Sequence, residues 1–189
     1  MTHLRASNLV REVYGDDSFH NFCASPTDED FDAIKRIGKE VLSHMPFRAG
    51  SCGPLCAMML ARWEHESRSR LYMFAGELVG DGVRIWGNDS MTKSIQTQIE
   101  SSHTSWDGHI WLGIGEYVLD LSMCRTAKST GSPPKLREIF YRNFPETMGL
   151  FLANSTGLAE IGLQYIPHAV LTKNQVDGHI LGIEQWLNN

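Results

Sequence analysis

Apolar positions recur every three to four residues in the first third of this chain and gather into short turn-bounded runs in its middle. The change separates predicted helices from predicted strands. Ser25 as N-cap, Pro26 at the first helical position and Asp28 three residues after the cap open a helix. Phe31, Ile34, Ile37, Val41, Leu42 and Met45 give it an apolar face, and Pro46 stops it. After a loop over Phe47 to Ser51, a second helix is expected from Cys52 to Glu66. Its Leu55, Met58, Met59, Ala61 and Trp63 surround most of the axis and predict burial.

Leu71 to Val79 and Val83 to Trp86 read as strands around Gly80-Asp81-Gly82. The polar stretch from Asn88 to Ser105, with Ile95 and Ile99 one turn apart, predicts a short helix. Lys135 to Phe144 reads as a helix, Ile161 to Leu171 as a strand, and a last apolar piece runs through Trp186. Residues 1–24 are polar and weakly periodic, so they are expected to form a loosely ordered arm ahead of a single catalytic domain over 25–189. The Ser, Thr, Gly and Pro loop from Ala127 to Pro134 is the clearest internal joint and a candidate lid.

The segment His109 to Ser122 is the most constrained. Gly115-Glu116 suits a two-residue hairpin turn with Gly first, which pairs Ile114 with Tyr117, Leu112 with Leu119, Trp111 with Asp120 and Ile110 with Leu121. One face is then apolar: Ile110, Leu112, Ile114, Tyr117, Leu119 and Leu121. The other holds His109, Trp111, Gly113, Val118, Asp120 and Ser122. His109 and Asp120 become diagonal neighbours roughly 7 Å apart at the backbone, a gap that their side chains can close.

That pair gives meaning to Gly50-Ser51-Cys52-Gly53-Pro54, which starts the second helix. A thiol becomes a nucleophile where its thiolate is favoured, and both a helix N-terminus and an adjacent imidazole favour it. Cys52 as nucleophile, His109 as base and Asp120 as the group that fixes the imidazole's tautomer outline an acyl-transfer site. A backbone N–H at the start of the Cys52 helix would meet the developing oxyanion. Trp106, Trp111 and His44 are open choices for a second donor, and Ser51, Trp106 and Trp111 are the candidate substrate-binding residues.

Gly50-Ser51-Cys52 at a helix start, Gly108-His109-Ile110-Trp111, and Tyr117-Val118-Leu119-Asp120-Leu121-Ser122 together resemble the transglutaminase-like branch of the papain-like superfamily. The likeness covers about residues 48 to 123, with Leu121 standing where the family often has Pro. It implies an α+β fold with a papain-like, transglutaminase-like core, in which the nucleophile helix packs on an antiparallel sheet. It also implies Cys52, His109 and Asp120 as nucleophile, base and orienter. Members act as peptidases, amidases, deamidases, protein cross-linkers and acyl carriers. The expected activity is therefore cysteine hydrolase chemistry on peptide or side-chain amide bonds, with a protein or peptide as substrate. Passage of the acyl group to an amine, and a binding protein that keeps the fold without the chemistry, remain alternatives.

Composition narrows the field. A chain of 189 residues with a formal net charge of -5 lacks the clustered Lys and Arg that nucleic-acid binding needs. No apolar run is long enough to cross a bilayer, so no membrane partner is expected. The start, Met1 to Asn8, has no basic segment followed by an apolar one, which makes the cytoplasm the expected compartment. Cys23, Cys52, Cys56 and Cys124 read as reduced thiols, and Cys56, one turn after Cys52, as a core residue. Neither Cys-x-x-Cys nor Gly-x-Gly-x-x-Gly occurs, so neither a metal nor a cofactor is expected. His179 repeats the Asp-Gly-His-Ile context of His109 but has no acidic residue at hairpin distance, which favours His109 as the base.

Overall fold

The computed structural model describes residues 3–46, 50–66, 70–88, 108–144 and 149–183. In chain order these form α1 (His3–Tyr14), α2 (Asp16–Cys23), α3 (Asp28–His44), α4 (Cys52–His65), β1 (Tyr72–Gly80), β2 (Val83–Trp86), β3 (His109–Ile114) and β4 (Tyr117–Asp120). There follow α5 (Met123–Lys128), α6 (Pro134–Asn143), β5 (Phe151–Asn154), α7 (Ser155–Glu160), β6 (Leu163–Val170) and α8 (Lys173–Leu181). The result is a mixed helix and strand fold around one curled antiparallel sheet.

β1 is the sheet's axis. One of its edges pairs with β3 over Tyr72–Gly76 and then with β2 over Leu78–Gly80, while the other pairs with β6. β3 continues to β4 and β4 to β5. Each face of the sheet carries its own core. On one, α3, α4 and α8 bring Ile34, Ile37, Leu55, Met59, Trp63 and Val176 against Met73, Ala75, Ile110, Leu112 and Leu119. On the other, Phe74, Leu78, Trp111, Val118, Phe151 and Tyr165 meet Val10 from α1 and Leu136, Ile139 and Phe140 from α6. Covering both faces explains why β1 and β3 read as nearly continuous apolar runs.

The β3–β4 hairpin has the expected register at Ile114 with Tyr117 and Leu112 with Leu119. Gly115 takes φ 56, as a turn with Gly in the first position requires. The paired stretch ends at Leu112–Leu119, short of Trp111 with Asp120 and Ile110 with Leu121. The cause is the Asp120 carboxylate, whose Oδ1 accepts the Ser122 and Met123 N–H groups at 2.8 and 2.9 Å and turns the chain into α5. The polar-looking face of the hairpin is not open either, because Trp111 and Val118 lie inside the second core.

Three other expectations are corrected. Of the expected loose arm over 1–24, residues 3–23 form two packed helices, with Ala6, Val10 and Phe22 fully buried. Tyr14 donates to the Leu171 carbonyl across the fold, and Arg5 bonds His168 on β6 at 2.8 Å. The cap of α3 is Thr27, not Ser25: Thr27 Oγ1 accepts from the Asp30 N–H while the Asp30 carboxylate reaches back to the Thr27 N–H. The joint at Ala127 to Pro134 is a tight turn between α5 and α6 with Ala127 and Ser132 buried, which is packing rather than a lid. The helix expected over Asn88 to Ser105 and the last apolar piece at Trp186 lie outside the described residues, apart from Asn88 itself.

Candidate active site

The apolar sides of α4 hold it against β3, which brings its first turn to the end of the sheet where β3 begins. Gly50, at φ 75, reverses the chain just ahead of it, and Ser51 occupies the cap position without a side-chain cap bond. Cys52 is half-buried, whereas Cys56 one turn later is buried, its thiol 3.7 Å from the Ile110 carbonyl oxygen. Burial, with the nearby Asp120 and Cys52, pushes the Cys56 thiol well above the ordinary range, so it stays protonated.

His109, the first residue of β3, lies opposite Gly76 of β1, and its ring is only 2% exposed. Its Nε2 meets Asp120 Oδ2 at 2.5 Å. Cys52 lies near enough to act on the same ring, and with Nε2 engaged, Nδ1 is the nitrogen left to face its sulfur. Burial by itself disfavours the imidazolium, but the Asp120 charge and hydrogen bond, followed by Cys52, outweigh it and raise the ring to about 10. Asp120 is fully buried, and burial works against its charge. The His109 cation and bond, then Tyr165 and Ser122, reverse that penalty and lower its pKa. The resting pair is thus a carboxylate and an imidazolium, with the sulfur beside it.

Asp120 is saturated with donors. Oδ1 accepts from Ser122 N–H, Ser122 Oγ at 3.0 Å and Met123 N–H; Oδ2 accepts from His109 and from the Tyr165 hydroxyl at 2.8 Å. Above the imidazole, the half-buried Trp86 ring stacks at 4.6 Å and 21°, and Trp111 lies at 6.1 Å on the core side. Neither Trp86 nor Tyr165 follows from the sequence pattern. The one local signal is Gly76, where a side chain would run into Trp111 Cη2 at 2.9 Å.

The structure therefore brings Cys52, His109 and Asp120 together but does not present Trp111 or Ser51 to a substrate. Trp111 is fully buried and packs beneath the imidazole, so it does not line a cleft. Ser51 is 1% exposed, with no partner for its Oγ among the described residues, and is likewise enclosed rather than presented to a substrate. Trp106 lies outside the described residues. His44 turns Nδ1 to the Glu40 carbonyl oxygen at 2.8 Å, at the exposed end of α3. His179, on α8, lies against the first turn of α4, where a Cβ on Gly53 would fall 2.9 Å from its Nδ1. Burial lowers its pKa, which keeps that ring neutral. A hollow of about 330 Å³ lined by His3, Cys23, Pro26 and Glu116 lies at the turn end of the hairpin, away from His109.

Among the described residues, no group of three or more His, Cys, Asp or Glu side chains could hold a metal ion. Nor is any described helix long and apolar enough to cross a membrane. Compared with known proteins, the chain matches no family model, no curated protein and no solved structure.

Proposed function

We propose that this chain is a cysteine-dependent acyl-transfer enzyme with a transglutaminase-like, papain-like core, acting by hydrolysis on peptide or side-chain amide bonds. One observation carries the reading: a buried carboxylate holds one nitrogen of a buried imidazole, and Cys52 lies near enough to act on the same ring. Packing alone gives no reason to bury a cation and an anion beside a half-exposed sulfur.

In the reaction, the Cys52 proton rests on His109 Nδ1 and the thiolate attacks the amide carbon, forming a C–S bond. A backbone N–H at the start of α4 receives the oxyanion, a contact typically worth about 3 kcal/mol. The C–N bond breaks as His109 gives its proton to the departing nitrogen. Water then loses a proton to His109 Nδ1, attacks the thioester carbon and displaces the sulfur as thiolate, which restores the starting ion pair. Asp120 remains ionised throughout and steadies the imidazolium. An amine in place of water turns the second half into cross-linking.

Incubation with an activated ester such as p-nitrophenyl acetate, followed by peptide mass mapping, tests the proposal. Acylation is expected at Cys52, lost in Cys52→Ala and reduced in His109→Ala. Acetylation of the exposed Cys23 at the same rate as Cys52 refutes it.

A further inference from the structure

We infer that Tyr165 is a positioning residue of this site, acting through Asp120 to hold His109 in its productive protonation state; the inference rests on the acyl-transfer reading. Tyr165 comes from β6, beyond the segment that carries the sequence resemblance. Its ring is packing material: it meets Trp111 edge-on at 5.2 Å and stacks on Phe151 at 6.4 Å. Phenylalanine would fill that space equally well. The hydroxyl is what needs a reason, since burying it costs free energy unless it finds a partner.

Its partner is Asp120 Oδ2, the oxygen that also receives His109 Nε2. Among the described residues, the hydroxyl's other polar contact is Met123 Sδ at 3.5 Å, a weak acceptor. Two donors thus converge on Oδ2 from β3 and β6, strands on opposite edges of β1. Oδ1 is pinned separately by Ser122 and Met123. A carboxylate held at both oxygens cannot swing about its Cβ–Cγ bond to follow or release the imidazole. Burial and the Asp120 charge also hold the phenol well above its ordinary range, so it donates at every working pH. Without the hydroxyl, Oδ2 depends on His109 alone. The anion is then less stabilised, and its hold on the imidazolium weakens.

The test is Tyr165→Phe in the full chain, with iodoacetamide alkylation followed at each cysteine by mass spectrometry and the exposed Cys23 as internal reference. At pH 6, where reaction requires a thiolate kept by its imidazolium, the Cys52 rate should fall about ten-fold, the scale of one hydrogen bond to a charged group. At pH 10 the rate should match the unmutated chain. A purely structural role lowers the melting temperature and leaves this pH profile in place. Equal Cys52 rates at pH 6 in both proteins, still well above Cys23, overturn the inference and leave the proposed function standing. Cys52 reacting no faster than Cys23 in the unmutated protein overturns both. Should the variant not fold, the unmutated chain must still show by NMR a slowly exchanging Tyr165 hydroxyl proton with a cross-peak to the His109 ring, and its absence overturns the inference.

Discussion

Replacing Asp120 with Asn keeps the volume and removes one charge, and its consequences can be worked through atom by atom. The Ser122 and Met123 N–H groups are backbone donors that cannot reorient, so the Asn oxygen must take the place of Oδ1. The amide nitrogen then faces the Tyr165 hydroxyl, which can rotate, and His109 Nε2, which must become an acceptor. The imidazole proton is forced onto Nδ1, where it opposes the Cys52 thiol instead of receiving its proton. Loss of one partner of a buried ion pair costs about 3–5 kcal/mol of stability, and the wrong tautomer costs about 10⁴-fold in rate in a comparable triad. Stability should also change its dependence on pH. In the native chain His109 moves from an ordinary 6.5 to about 10. Its contribution is therefore complete below about pH 6.5 and lost as pH rises through about 10, with a ceiling of about 5 kcal/mol. In Asp120→Asn burial is the largest influence left on the ring and only Cys52 opposes it, so its pKa should fall below the unfolded value and stability should rise with pH from 5 to 8. Urea unfolding across pH 5 to 10 measures both slopes. A variant that loses stability between pH 6.5 and 10 as the native chain does refutes this account of the pair.

Three further outcomes follow from packing and capping. Gly76→Ala would place a Cβ 2.0 Å from the Ile166 carbonyl oxygen at the β1–β6 bulge, and backbone cannot yield as a side chain can. A loss of about 3 kcal/mol or more is expected in denaturant titrations, and a neutral result would contradict the close approach. Arg125→Met removes donors to the Met45 and Pro46 carbonyls, both at 2.9 Å, and to Leu42, loosening the end of α3 ahead of the Cys52 loop. About 2 kcal/mol should go, with only partial recovery in Arg125→Lys, because an ammonium cannot span three carbonyls. Thr27→Ala should lower stability by about 1 kcal/mol while Ser25→Ala does almost nothing; the reverse order would restore Ser25 as the cap.

Local rules reached the hairpin and stopped where the chain turns back from a distance. Gly115-Glu116 determines the parity that puts His109 and Asp120 on one side, and two residues of loop are enough to know it. The α4 start was legible from Gly50 to Pro54 because an apolar helix must begin there. Tyr165 lies 45 positions beyond Asp120 and reaches it only through the pairing of β6 with β1, which no local spacing encodes. Trp86 arrives over His109 because β2 shares an edge of β1 with β3, again a matter of topology. Alternation in β3 and β4 put Trp111 beside His109 as a candidate substrate contact, yet Trp111 and Val118 lie in a core with Val10 of α1 and Leu136 of α6. The first 24 residues looked unstructured since the buried positions of α1 are Ala6, Ser7 and Val10, small side chains that leave little apolar signature.

The stack of Trp86 on His109 has an optical consequence. A cation held against an indole face draws electron density from the excited ring and quenches its emission, whereas a neutral imidazole does so far less. Trp86 should therefore brighten when the proton leaves His109, which makes its fluorescence an optical reporter of that ring's charge.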